Sequence, residues 1–450
     1  MLTAFKEQLH GVIPLLLYLA IFVCIALTAA KRVQWGMLLL IALVGQPNLW
    51  YKIHAFPLGT KTMDLLFLAI CVGIAANGGK WQRPPRTALF AVYGIWCYLA
   101  LWHTSLRFDL AMPVSGANAL VQDLKNYLEM LGLYFLAYNA LKSEEDQKNA
   151  LMLLIFVVLF IAVREIRNFD AGASFSYEKR AAGPFWVVGL GSNHFGAFIA
   201  YLGAFISGLL LCDKDRKRKW LYIITLLCCV TPLFNTYSRG AYAAVLLALF
   251  FFGVVRKRMI LVGIAVLGVA WQTLLPPAVV ERITMTETAD GQIEESAALR
   301  LVVWERAKRL FIDNPVVGIG YGGFGVSERI GGLNNVHNYY MQTAAEQGVV
   351  GLIFLAIIIM RAGVSGWRLY RIGVSDFHKG IGLGFVGAVV AVMITNIFGD
   401  RWSYFALGAY FWILWGIVDR SIQTALEAKS HVPAKIAPPL ARPVTGRVTA

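Results

Sequence analysis

The sequence predicts an all-α polytopic membrane protein, and three observations carry that prediction. Of its 450 residues, 58% are hydrophobic and only 15% charged, with a mean hydropathy of +0.62. A water-soluble domain has no core large enough to hide so much apolar surface. The apolar residues come in long continuous runs rather than the alternation of a membrane barrel, so backbone groups in lipid must be satisfied inside helices. Between the runs, basic residues gather in alternate loops, the pattern that orients membrane helices.

In chain order the runs fall at 12–30, 35–50, 63–78, 88–104, 126–141, 149–164, 193–211, 220–235, 240–255, 259–276, 347–362, 380–398 and 402–419. A span needs ~20 residues, so these amount to about 12–13 transmembrane helices, the run at 35–50 being the weakest. The first run has no small-residue cleavage site after it and reads as a retained span. Four regions follow: an N-terminal bundle over 1–276, a large loop over 277–346, further membrane helices over 347–419, and a tail over 420–450.

Basic clusters at Lys31–Arg32, Lys80–Arg86, Lys214–Lys219, Arg256–Arg258 and Arg361–Lys379 mark one side of the membrane. The positive-inside rule makes that side cytoplasmic, and the tail, rich in Pro, Ala and basic residues, joins it as a disordered segment. Loops 51–62, 105–125, 165–192, 236–239, 277–346 and 399–401 then lie outside. The net charge of +15 sits largely in the topological loops, with no aromatic and basic surface of the nucleic-acid type. The bilayer is therefore the expected partner, and nucleic acid is not. None of the six cysteines has CxxC spacing, so neither a disulfide framework nor a zinc site is indicated. No acidic metal pair stands out in the long external loop, and no cofactor is expected.

The large loop has its own pattern. Ser296 is placed to cap a helix running to about Ile312. Leu299, Val303, Ala307 and Leu310 share one face of it, and Asn314-Pro315 end it. A glycine-dense turn, Gly318 to Gly325, comes next. Gly318, Gly320 and Gly323 fit GxGxxG, but a helix rather than a strand precedes them, which favours a structural turn over a dinucleotide fingerprint.

Several external residues carry chemistry. His337 precedes Asn338 just outside the apolar run that starts near Gly348. Its imidazole is either a hydrogen-bonded loop group or a base able to take a proton from a hydroxyl. Arg239, in Thr236-Tyr237-Ser238-Arg239-Gly240, either snorkels to the interface or pairs with phosphate, which its planar fork suits. Arg300 is either a solvated helix residue or a second phosphate ligand. Asn193 and His194 open an apolar run as interhelical polar contacts or substrate contacts. Arg164, Arg167, Lys179 and Arg180 break the charge rule on the outer side and point to an anionic ligand. Asp400-Arg401 reads as an ion pair in a short outer loop.

These motifs, in this order, resemble the O-antigen ligase and polymerase superfamily of bacterial membrane glycosyltransferases. Ser238-Arg239-Gly240 is similar to the family's S-R-G helix start, and Arg300 with Trp304 to its R-x-x-x-W segment. Asn314 to Gly320 is similar to its N-P-x-x-G-x-G turn. His337-Asn338, nine residues, then Gly348 and Gly351 is similar to the ligase pattern. Ligases usually continue with Gly, Thr or Tyr where this chain has Leu352, so ligase and polymerase both stand. Asn396 to Asp400 resembles the exosortase-associated branch.

The resemblance implies metal-independent transfer of a glycan from an undecaprenyl diphosphate-linked donor to an acceptor hydroxyl, such as one on lipid A-core. Arg239 and Arg300 would hold the diphosphate and His337 would be the base. Arg164, Arg167, Arg180, Asn193, His194 and Asn338 would be further substrate contacts. The setting would be a bacterial inner membrane with the reaction on the periplasmic face. A transporter of lipid-linked glycan is the alternative from another class. It would show repeated halves with midplane charges, whereas charges within these apolar runs are scarce.

Overall fold

In a computed structural model, residues 2–30, 32–76, 81–168, 176, 179–285, 295–327 and 335–430 are described. Among them the regular structure is helical and no strand occurs. The N-terminal part contains α1 (Leu2–Ala30), α2 (Val33–Val44), α3 (Pro47–Lys52), α4 (Thr62–Ala76), α5 (Thr87–Arg107), α6 (Ala119–Ala140) and α7 (Glu144–Asn168). Then follow α8 (Ser192–Cys212), α9 (Arg216–Asn235), α10 (Arg239–Val255) and α11 (Met259–Leu274). The large loop holds α12 (Pro277–Thr284), α13 (Glu295–Asp313) and α14 (Gly323–Ser327). The chain closes with α15 (Tyr339–Ile372), α16 (Asp376–Thr395) and α17 (Phe405–Ser430).

Among the described residues the thirteen apolar runs fall mainly on helices, but eight helices are long and apolar enough to cross a membrane. The count reaches nine if α11 and α12, bent by 105° at Leu275–Pro276, act together. Two physical reasons separate this from the expected 12–13. The helices α2 and α10 have 12 and 17 residues, short of the ~20 that span a bilayer. Charges interrupt the other two, Asp123, Lys125 and Glu129 in the first half of α6 and Arg216 to Lys219 in the first turn of α9.

The middle of the bundle is built on α17, α16 and α8. Trp412 and Trp415 are fully buried and pack against Phe90, Phe411 and each other. Helices α8 and α16 cross so closely at Gly208 and Gly384 that a Cβ on Gly208 would collide with the other glycine's backbone. Small residues permit this backbone approach, a common device in lipid where apolar burial gives little drive. The outer helices face the other way: α11 has no buried residue, and Val266 and Val269 stand exposed on it, as a lipid-facing helix requires.

The tail expected to begin near residue 420 is still helix there, since α17 runs through to Ser430. Polar packing explains the extension. Arg420 donates to the Gln82 side chain and lies over the Tyr138 ring, and the Ser421 hydroxyl donates to Gln147 at 2.7 Å. Residues 431–450, where disorder is expected, lie outside the described residues.

Candidate functional site

Loops expected on the outer side converge at one end of the bundle. The turn between α9 and α10 is the first component. Thr236 ends α9, Tyr237 takes a left-handed conformation at φ 49°, and Ser238 caps α10 by accepting from the Ala241 amide at 3.4 Å. This fixes Arg239 at the first position of α10, with its guanidinium donating to the Met285 carbonyl at 3.0 Å. Arg180 braces the same turn. It donates to the Thr236 carbonyl at 2.9 and 2.7 Å and to Asn193 Oδ1 at 2.8 Å.

The second component is α13. Val303 and Ala307 are buried against Phe324, Val336 and Ala345, with Leu310 half-buried beside them, as the helical spacing predicts. Leu299 stays exposed, and Ser296 lies within the helix rather than before it. Arg300 and Trp304, one turn apart, face the same cavity. The Trp304 indole donates to the Val336 carbonyl at 3.0 Å, tying α13 to the residue before His337.

The third component is the glycine turn, and it explains two sequence motifs at once. Helix α15 breaks at Gly348, whose φ is 61° and ψ −158°. The break exposes backbone groups that the turn then satisfies. Ile319 and Gly320 amides donate to the Ala345 and Glu346 carbonyls at 3.0 and 2.7 Å, while Val349 and Val350 amides donate to Pro315 and Val316 at 2.8 and 3.2 Å. Gly318, with φ 68°, lies so near Glu346 that any Cβ there would strike its backbone. Gly320 and Gly322 also have positive φ, whereas Gly323 does not and instead begins α14. No strand precedes the turn, so a structural role is the one its geometry supports. Gly348→Ala should therefore cost about 1–3 kcal/mol of stability, the worth of a backbone forced into a rare conformation. A melting temperature unchanged from wild type would contradict the need for glycine there.

His337 sits where these components meet. It holds φ 54°, unusual for a residue with a side chain, and its amide donates to Asn335 Oδ1 at 2.6 Å. Asn338 next to it caps α15, its side-chain oxygen accepting from the Tyr340 and Met341 amides at 3.0 and 3.1 Å. That structural duty occupies the group suggested as a substrate contact. Burial, then the charges of Arg300 and Arg401, push the His337 pKa below its usual 6.5 and favour the neutral imidazole. His194 lies in the first turn of α8, its ring edge-on to Tyr404 at 5.1 Å.

The arginines enclose a cavity of about 590 Å³. Arg180, Arg239, Arg282, Arg300 and Arg401 all line it, with the first residues of α10 between them. No acidic side chain lines it among the described residues. Burial and the neighbouring guanidinium of Arg282 lower the Arg180 pKa to about 10, and burial lowers that of Arg401 to about 10, so both stay charged at neutral pH. A helix N-terminus adds partial positive charge and amide donors to the same wall. The charge of such a cavity is complementary to a multiply charged anion, and planar forks suit phosphate oxygens.

Of the residues singled out from sequence, Arg239, Arg300, Arg180 and Asn193 line this cavity, and His337 lies beside it. Arg164 and Arg167 do not; both are exposed near the end of α7, Arg164 bordering a separate cavity of about 210 Å³. Arg282 and Arg401 are the additions. Arg401 is not the plain ion pair expected: Asp400 turns its carboxylate to the Trp402 and Ser403 amides at 2.9 and 3.0 Å, and the Arg401 guanidinium donates to the Asp400 backbone carbonyl at 2.8 Å.

Fold and site together define a polytopic α-helical membrane protein with an arginine-lined anion cavity at one end of the bundle. Residues 224–356 match the family model Wzy_C, O-antigen ligase, a stretch that includes Arg239, Arg282, Arg300, the glycine turn and His337. Over that segment, somewhat under a third of the chain, the sequence is similar to the O-antigen ligase family, a similarity that points to a membrane glycosyltransferase-like enzyme. No curated protein matches the chain.

Proposed function

We propose that this protein transfers a glycan from an undecaprenyl diphosphate-linked donor to an acceptor hydroxyl at the periplasmic face of a bacterial inner membrane. The observation that carries this reading is the convergence of five arginines, from five separate segments, on one cavity next to a neutral histidine. A glycosyl diphosphate needs positive charge where negative charge develops on the departing diphosphate, and the guanidinium groups supply it without a metal ion. His337 accepts the acceptor hydroxyl's proton as the oxygen bonds to the anomeric carbon. The bond from that carbon to the diphosphate oxygen breaks, and its electron pair leaves with undecaprenyl diphosphate.

Within this reading the chain acts as a ligase, moving a finished glycan onto lipid A-core or a similar acceptor. Leu352, where ligases usually carry Gly, Thr or Tyr, favours as second reading a polymerase that extends the lipid-linked chain. Deleting the gene and resolving lipopolysaccharide and exopolysaccharide on gels separates the two. Complete chains left on carrier lipid, with bare lipid A-core, are expected of a ligase. Single repeat units where long chains belong would make it a polymerase, and an unchanged glycan profile would overturn both.

A further inference from the structure

A second cavity, of about 340 Å³, is lined by Asn335 and Tyr339, two residues to either side of His337, and its chemistry is the reverse of the first. Carboxylates of Asp123, Glu346 and Asp400 line it, with the amides of Asn126, Asn335 and Gln342. Four tyrosine rings complete the wall, and no arginine, lysine or histidine lines it among the described residues. Asn335 joins the two sites, for it borders this cavity and accepts the His337 amide proton at 2.6 Å. Tyr404 borders it too and packs edge-on against His194. The Gln342 side-chain oxygen is buried with no hydrogen-bond partner among the described residues.

Each part of this wall matches a sugar and mismatches an anion. Hydroxyl groups both donate and accept, so carboxylates and amides pair with them in complementary fashion. Tyrosine presents a flat apolar face to sugar C–H groups and a polar edge to hydroxyls. An oxygen buried without a partner costs stability until a donor reaches it, and a ligand hydroxyl or ammonium is such a donor. A phosphorylated or carboxylated sugar would meet the carboxylates of Asp123 and Asp400, with no cation among the described lining residues to offset them, and be repelled. The volume falls within the range of small-ligand pockets.

We propose that this cavity is the acceptor-sugar subsite, selective for an uncharged or amino-bearing hexose. The sugar preference follows from the wall alone. The acceptor role rests on the glycosyl transfer proposed above, because Asn335, which lines this cavity, holds the amide of His337, the residue proposed to take the attacking hydroxyl's proton. The donor's own terminal sugar shares the chemistry and is the other source.

Saturation-transfer NMR on the purified full-length protein, with millimolar methyl hexosides, methyl glucosaminide and glucuronate as probes, tests this. Saturation is expected for the neutral and amino sugars and absent for glucuronate. Asp123→Asn and Gln342→Leu should each weaken the hexoside affinity by about 2–10-fold, the value of one hydrogen bond. Sodium pyrophosphate, the probe for the arginine cavity, should leave the hexoside signal in place. No hexoside signal in wild type, equal affinity in both variants, or equal binding of glucuronate would overturn the subsite. An undecaprenyl diphosphate-linked N-acetylhexosamine that displaces the methyl hexoside would assign the cavity to the donor sugar and overturn the acceptor role. Pyrophosphate binding that ignores Arg300 and Arg239 would count against the transfer reading instead, leaving the sugar result to stand by itself.

Discussion

Replacing His337 with alanine is expected to slow glycan transfer by about 10²–10⁴-fold, the loss that follows removal of a general base. Donor binding should survive, since in the proposed mechanism the arginines make the phosphate contacts. His337→Gln separates this role from loop packing, because glutamine keeps a hydrogen-bonding side chain but cannot accept and carry the proton. The pH profile gives an independent reading. Burial and the charges of Arg300 and Arg401 hold the imidazole pKa below 6.5, so the neutral base predominates at pH 6.5 and above. The acid limb of wild-type activity should therefore be centred below pH 6.5, as protonation removes the lone pair. An acid limb centred above 6.5 would contradict this placement of the histidine.

The next largest effect is expected at Arg300 and Arg239. Each guanidinium faces the cavity from a helix that fixes it: Arg239 at the capped start of α10, Arg300 one turn before the anchored Trp304. Lysine keeps the charge but loses the bidentate fork. Each Arg→Lys change should remove about 1.5–3 kcal/mol of diphosphate binding, the value of a charged hydrogen bond. That is roughly a 10–100-fold loss of donor affinity per site. Because both guanidinium groups face one cavity, the double variant should depart from additivity. Titration of each purified variant with undecaprenyl diphosphate checks this. Wild-type affinity in both lysine variants would make these arginines ordinary surface residues.

The sequence revealed more of the site than of the span count. Arg239, Arg300, His337 and the glycine turn stand in local motifs, where a cap, a helical repeat or a rare φ leaves a mark on neighbouring residues. Hydropathy located every helix apolar and long enough to span, but it did not separate membrane spans from apolar helices such as α2 and α10, whose shortness depends on where the chain turns. Arg282 and Arg401 were not legible as site residues. Their role comes from convergence of distant segments, and Arg401 has beside it an aspartate that sequence alone reads as its partner. Only the folded turn shows that the Asp400 carboxylate is committed to the amides of Trp402 and Ser403. The second cavity was hidden for the same reason, since α6, the His337 segment, α15 and the loop before α17 meet there without sharing a motif.

The central claim is that the arginine cavity holds a lipid diphosphate while His337 activates the acceptor. Its most direct test is transfer by purified protein in liposomes, with an undecaprenyl diphosphate-linked glycan, lipid A-core acceptor and a metal chelator present. Wild type should join glycan to acceptor and release undecaprenyl diphosphate in equal amounts. His337→Gln should bind the donor with wild-type affinity and transfer almost none of it. Transfer by His337→Gln at a rate near that of wild type would contradict the account.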